Sequence, residues 1–563
     1  MHVVFEGIDG SGKTTLSTLV ARRLRASGRG VTHLREGGRY GSEVGQAVRE
    51  LARDARLLAM DPRTELLLGA AREAQLGREL TIPARARGEL IVGDRSAASL
   101  EVLGLARGLP REEVAAIAHA AQRGAEPDLT ILVDVDPTLA RARRKASKTL
   151  EAEDRAPGRK NLAGAGLQAR MRRAYLELAA ERGWVVLDNG GLRGIDDVAV
   201  RAEAAIVAFQ HGGLAAARTA VGAPESRVAG TSQLEDTTAA LMAWIDARAA
   251  GEPSVAAWML GGLPGPEAAA RREALVERCA PQVLTGLRGL WDDAALALRR
   301  RFVRAEPIAV ARSLVVPKRL AASERPAVLD SLLAECAVGA PGDAARALRG
   351  RDDACAWALR DALAQRSSAA PSVAASLAGL ASPRAWTARD RWLASLGGRD
   401  QLITHALAAA AAGSVAGLDD EPAWRIRRAA WTEAPVASLA SLAGCASDDA
   451  WAWRDAYAVP AARVVLRSLG GLAGERAAKL RAELAPRCPE AVESTAGLDD
   501  DAAWRLREDA VAAWPSAVLD VLSVGPPSPR ARTLARSITS QFAGDLGVLA
   551  SAATFALRHP GGA

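Results

Sequence analysis

The stretch Phe5-Glu6-Gly7-Ile8-Asp9-Gly10-Ser11-Gly12-Lys13-Thr14-Thr15 decides how this chain begins to fold. An apolar run, His2-Val3-Val4-Phe5, precedes it and reads as a buried strand. Gly7, Gly12, Lys13 and Thr14 fit G-x-x-x-x-G-K-[ST], and Leu16 to Leu24 reads as the helix that follows. Glycines let backbone wrap a polyphosphate, and successive N–H groups at the helix N-terminus face the anion. Lys13 is placed to reach the β- and γ-phosphates, and the Thr14 hydroxyl to ligate Mg²⁺. The whole run Gly7, Ile8, Asp9, Gly10, Ser11, Gly12, Lys13, Thr14 and Thr15 is the expected nucleoside-triphosphate-binding loop.

Outward from the loop, strand and helix alternate for about two hundred residues. Candidate strands are His2–Ile8, Val31–Arg35, Glu89–Asp94, Leu129–Asp134 and Val185–Leu187. Helical patterns cover Thr14–Arg25, Thr64–Arg87, Glu112–Gln122 and Leu167–Arg182. This predicts an α/β domain with a doubly wound parallel sheet and right-handed crossovers, and ligands at the carboxyl ends of its strands.

Several further motifs fall at such ends. They are Arg35-Glu36, Val48-Arg49-Glu50-Leu51, Glu65-Leu66-Leu67-Leu68, Asp94-Arg95 and the run Pro127 to Pro137. With Phe5–Thr15 they resemble, in order from about Met1 to Phe209, the thymidylate kinases. The resemblance implies a P-loop kinase fold, ATP and Mg²⁺ as cofactors, and a nucleoside monophosphate as acceptor. Arg35 and Arg95 then clamp the acceptor phosphate, with Asp9 near the acceptor sugar and Arg72 by its base. Thr14 and Asp94 hold Mg²⁺, the latter through water. Lys13, Arg95, Arg35 and Arg144 are the expected catalytic cations, because phosphoryl transfer is mostly positioning and charge neutralisation. The basic residues Arg141, Arg143, Arg144, Lys145 and Lys148 occupy the place of the family's lid. Arg155, Arg159 and Lys160 follow in a Gly/Pro-containing segment.

Departures from the family pattern cluster on the acceptor side. Leu34-Arg35-Glu36-Gly37-Gly38 lacks the proline that shapes the acceptor pocket. Gly69 stands where the stacking aromatic is expected, Glu73 where an arginine is, and Arg72 comes one residue early. Ser96 to Leu103 lacks the aromatic and the glutamine that contact the nucleotide. Two readings follow: a kinase whose acceptor is dTMP or a related monophosphate, or an ATP-binding regulatory protein whose degenerate kinase domain is a switch.

Residues 211–233 are Gly/Ala/Ser-rich and read as a linker between a domain at 1–210 and another at 234–563. The second domain carries a recurring Trp-x-x-Arg: Trp357/Arg360, Trp386/Arg389, Trp424/Arg427, Trp451/Arg454 and Trp504/Arg507, with degenerate copies at Arg299 and Arg481. Acidic pairs such as Asp419-Asp420 precede the tryptophan and suit a helix N-terminus, and a proline usually follows and starts a second helix. Trp424, Trp451, Ala478 and Trp504 lie about 27 residues apart, the range of helical-hairpin repeats, so an all-α HEAT-like solenoid is expected, with tryptophans in its core and a face for a protein partner.

Composition narrows the rest. The chain has 563 residues, 49% of them hydrophobic, yet no apolar run is long enough for a membrane span. The N-terminus enters a strand at once, leaving no room for a signal peptide. Cys279, Cys336, Cys355, Cys445 and Cys488 are scattered, so neither a disulfide framework nor a zinc site is expected. A cytoplasmic protein fits. The net charge of +7 comes from interspersed charges, so nucleic acid is not the expected partner. The resemblance also allows a homodimer through the kinase domain.

Overall fold

The computed structural model describes residues 1–34, 42–151, 159–222, 230–315, 328–396 and 404–560. The chain divides into two compact units, Met1–Arg144 with Gly158–Ala229, and Lys145–Pro157 with Gly230–Ala563.

The first unit is a five-stranded sheet of β1 (His2–Glu6), β2 (Val31–Leu34), β3 (Leu90–Asp94), β4 (Leu129–Asp134) and β5 (Val185–Asp188). Every pairing is parallel, in the order β2-β3-β1-β4-β5. Val3, Val4, Phe5, Ile91, Val92, Ile131 and Val133 are fully buried, as strands covered on both faces require. The helices are α1 (Lys13–Ala26), α2 (Glu43–Arg53), α3 (Pro62–Leu76), α4 (Ile82–Ala86), α5 (Ala98–Arg107), α6 (Arg111–Gln122), α7 (Pro137–Ser147), α8 (Gly166–Arg182) and α9 (Ile195–Val221). Strand order reverses beside β1, so the crevice past its carboxyl end is where such a sheet binds ligands.

Two local differences from the sequence reading have physical causes. The helix expected over Thr64–Arg87 is not continuous; between α3 and α4 the turn widens into a π-helix over Gly77–Thr81. Helix α9 runs on to Val221, into the segment read as a linker, past one non-helical residue at Gly213. Ala217 and Val221 join the main apolar cluster of the unit, and burial outweighs the weak local pattern.

In the second unit, all regular structure among the described residues is helical. The helices Pro341–Ala347, Ala370–Ser376, His405–Ser414, Pro435–Ala440, Ala462–Ser468, Glu490–Glu493 and Pro515–Val524 pack each against the next. Pro307, Pro371, Pro435 and Pro515 sit in first turns as expected. Pro281 instead follows a break at Cys279 within one helix, and Pro460 lies just ahead of Ala462–Ser468.

The acidic pairs divide their labour. Asp353, Asp420 and Asp500 cap the helices, accepting from Ala356, Ala423 and Ala503 N–H. Asp352, Asp419 and Asp499 instead accept the indole N–H of Trp357, Trp424 and Trp504 at 2.6, 3.0 and 2.7 Å. These tryptophans are buried, and the arginine three residues on is buried more deeply. Arg427 donates to the carbonyls of Val415 and Leu418, 12 and 9 residues earlier, and to the Ser441 hydroxyl. Arg299, Arg360, Arg389, Arg454, Arg481 and Arg507 make the same reach of 12 residues back, to Leu287, Leu348, Leu377, Leu442, Leu469 and Thr495. Each guanidinium thus adds a side-chain donor to a carbonyl just past a helix end that already accepts a turn hydrogen bond from the residue three on. The links between acidic residues and arginines use other pairs: Arg384 to Asp361, Arg476 to Asp455 and Arg530 to Glu508. These second arginines also lie over Trp357, Trp451 and Trp504.

Candidate active site

The loop between β1 and α1 takes the shape that its glycines permit. Gly10 and Gly12 have φ of 91° and 92°, a region that other residues enter only with strain. Space enforces the choice. A Cβ on Gly12 would lie 2.5 Å from Asn189 Nδ2, and one on Gly10 would strike the Ala140 carbonyl of α7. Ser11 is held from behind, its carbonyl accepting from Asn189 Nδ2 at 2.7 Å.

Four charged side chains meet beside this loop. Lys13, 6% exposed, donates to the Ile8 carbonyl at 3.3 Å, and its Nζ is 3.9 Å from Asp9 Oδ1. The same Asp9 oxygen pairs with Arg95 Nη2 at 2.5 Å. Asp9 N–H donates to Gln168 Oε1 at 3.1 Å, which fixes the loop to α8. Thr14 Oγ1 donates to Asp94 Oδ2 at 2.6 Å, while Asp94 Oδ1 is buried with no hydrogen-bond partner among the described residues. A hydroxyl beside a buried carboxylate with one unused oxygen is a donor set that suits a hydrated Mg²⁺.

Arg95 is held in an unusual way. Its φ of 79° is the one positive value at a non-glycine among the described residues, a conformation that costs about 1 kcal/mol or more. Its N–H donates to Phe5 O, and its Nη1 to Ser99 Oγ at 3.0 Å. Beneath it lies Glu6, fully buried, which accepts from Ser96 N–H and from the hydroxyls of Ser96, Ser99 and Tyr175 at 2.6 to 2.9 Å. Burial raises the Glu6 pKa, and the Arg95 charge and these donors oppose that rise.

Other predicted residues fall as follows. Arg72 pairs with Glu73 Oε1 at 2.7 Å and lines a pocket together with Asp94 and Arg95. Arg144 packs on the loop, its Cγ 2.9 Å from where a Cβ on Gly10 would stand. Arg143 donates to the Asn189 carbonyl at 2.9 Å, and Arg141 is exposed. Lys145 and Lys148 belong to the second unit, where Lys148 pairs with Glu151 at 2.8 Å. Arg159, named in the basic segment, is buried and paired with Glu65 at 2.8 Å. Thr15 is exposed, and Arg35 and Arg155 lie outside the described residues. Sequence reasoning missed Glu6, Ser96, Ser99, Gln168, Tyr175 and Asn189 as site residues. The serines were in plain view after Asp94-Arg95 but were read only for the aromatic they replace.

The thymidylate kinase family model matches residues 5–197. The chain is 37% identical over 204 residues to a thymidylate kinase of Pelobacter propionicus, covering 35% of this chain and 91% of that protein. It is 39% identical over 203 residues to one of Ruegeria pomeroyi, covering 35% and 90%. It is 41% identical over 155 residues to one of Caldanaerobacter subterraneus, covering 27% and 73%. The match ends before residue 230, where the long helical part of the second unit begins. By its first unit, this chain belongs to the thymidylate kinase family of phosphotransferases.

Proposed function

We propose that the first unit passes the γ-phosphoryl group of ATP to a nucleoside monophosphate, dTMP or a relative, giving ADP and the diphosphate. One observation carries the reading: Asp9 lies between Lys13 on the donor loop and Arg95 at the end of β3. A phosphate entering at Arg95 replaces one carboxylate partner by another anion, which costs the guanidinium little. Lys13 neutralises the donor phosphates, Arg144 closes the charge clamp from α7, and Asp9 is left to face the acceptor sugar. Thr14 and Asp94 are the residues suited to hold Mg²⁺, which when bound supplies charge neutralisation to the phosphates. Arg35 completes the acceptor clamp in this reading.

The second unit is proposed to be a HEAT-like solenoid that docks a protein partner or regulates the kinase, in a cytoplasmic protein, with the domains divided near 210 and 234. No helix among the described residues is long and apolar enough to cross a membrane. A homodimer through the kinase domain belongs to the same proposal. The second reading, an ATP-binding switch, draws on Gly69, where a Cβ would strike Leu100. Leu100 fills the space an aromatic side chain there would need.

The test is diphosphate formation by the full chain from ATP and a panel of monophosphates including dTMP. Turnover is expected, and Lys13→Ala should lower kcat by about 10³-fold with the fold intact, since removing one preorganised donor costs 10²–10³. ATP binding with no phosphorylation of any monophosphate would reject the kinase reading in favour of the switch.

A further inference from the structure

The pocket that contains Arg95 runs away from the phosphate loop along α3 and the π-helical turn. Its lining includes Arg72, Glu73, Thr81, Gln122 and His2 as well as Arg95. A cavity with a phosphate-binding cation in its wall and convergent polar groups elsewhere has the make-up of a nucleotide subsite. The π-turn at Gly77–Thr81 supplies Gly77, Leu80 and Thr81 to the lining, and widened turns of this kind often serve sites.

The polar groups in it have a definite sense. Arg72 and Glu73 are 13% and 14% exposed, and Arg72 Nε and Nη2 both donate to Glu73 Oε1. His2 is 95% buried, and its Nδ1 is 3.1 Å from the Ala125 carbonyl. A carbonyl only accepts, so Nδ1 carries the proton and Nε2 is an acceptor. That Nε2 is buried with no hydrogen-bond partner among the described residues. Away from Asp94 and Arg95, the pocket therefore presents the Glu73 carboxylate and a bare imidazole nitrogen as acceptors beside the Arg72 guanidinium, with Thr81 and Gln122 able to donate or accept.

A thymine or uracil edge turns two carbonyl oxygens and one N–H to its surroundings, so a carboxylate at a carbonyl position repels it. An exocyclic amine offers two N–H donors at the position where thymine or uracil has a carbonyl oxygen, and a carboxylate accepting from cytosine N4 is a standard pairing. We propose that the Arg72–Glu73 pair and His2 make this pocket a subsite for an amino-bearing base, cytosine first, so that the acceptor is an aminated monophosphate and dTMP is disfavoured. This rests on the kinase reading above and names its substrate class.

The experiment measures kcat/KM of the full chain with dCMP, dGMP, dAMP, dTMP and dUMP, and binding of each by calorimetry. An aminated monophosphate, dCMP leading, is expected to exceed dTMP and dUMP at least tenfold. The isosteric Glu73→Gln should reduce that ratio about tenfold, and because the ratio is internal to one protein, partial misfolding does not mimic the loss. Equal or better use of dTMP, or a ratio unmoved by Glu73→Gln, overturns the assignment while leaving the kinase standing. Should nothing be phosphorylated, the kinase reading falls and calorimetry decides: tighter binding of the aminated nucleotides upholds the subsite, and equal or weaker binding removes it.

Discussion

Arginine is the working residue of both units, and they use it in opposite ways. In the kinase unit Arg95 is paired with a carboxylate, Asp9, at 2.5 Å. In the helical unit Arg427 and its counterparts are buried against backbone carbonyls and hydroxyls, and their nearest rings are tryptophans such as Trp424. A carboxylate is an anion that a phosphate can displace, whereas a carbonyl at a helix end is part of the fold and cannot leave. The difference teaches that the partner, more than the arginine, separates a binding cation from a structural one. Burial alone does not, since both kinds are buried.

The same substitution made in each place tests that contrast most sharply. Arg95→Lys keeps the charge but loses the fork that holds Asp9 and Ser99 together. It is expected to lower kcat/KM for the monophosphate by about 10²-fold or more with unfolding unchanged. Arg427→Lys should leave phosphoryl transfer alone. An ammonium cannot reach Val415 O, Leu418 O and Ser441 Oγ together, so chemical denaturation should show about 2–3 kcal/mol lost. A stability loss in the first variant and a rate loss in the second would dissolve the comparison.

A third buried base sharpens it from another side. Burial lowers Arg299, Arg360, Arg389 and Arg454 to about 10, so all stay charged at neutral pH. Burial lowers His2 to about 4, so it stays neutral. The folded value lies below the unfolded 6.5, so between them the unfolded chain binds more protons and stability falls as pH drops from 6.5 to 4. The loss reaches at most about 3 kcal/mol. Denaturation midpoints at pH 7 and pH 4.5 should diverge less in His2→Gln; an equal divergence would show that His2 does not titrate this way.

How much of this was legible beforehand follows from what each group bonds to. The phosphate loop, the five strands and Asp94-Arg95 are local patterns, and all are present in the folded chain. The Trp-x-x-Arg spacing was legible too, but its purpose was not, because the partners are carbonyls and a carbonyl has no letter in a sequence. The hub at Glu6 was hidden for a different reason: Tyr175 is 169 residues away along the chain, and only the folded sheet brings them together. In the pocket beside Arg95, the sequence revealed Gly69 and Glu73 where the resemblance leads one to expect an aromatic and an arginine. It did not reveal that Leu100 closes the space beside Gly69 or that Glu73 is tied to its own neighbour.

The division of the chain has a consequence for any attempt to separate its units. The first unit is not a bead followed by a second bead, because the segment Lys145–Pro157 is counted with the helical repeats and the chain then returns to the kinase. Gln282 and Arg312 donate to the carbonyls of Ala146 and Thr149 in that segment at 2.8 and 2.6 Å. A gene trimmed after Ala229 would keep the letters of this excursion and lose the side chains that receive it. The division between the two units therefore falls inside α7 as well as after Ala229, and no single cut in the sequence reproduces it.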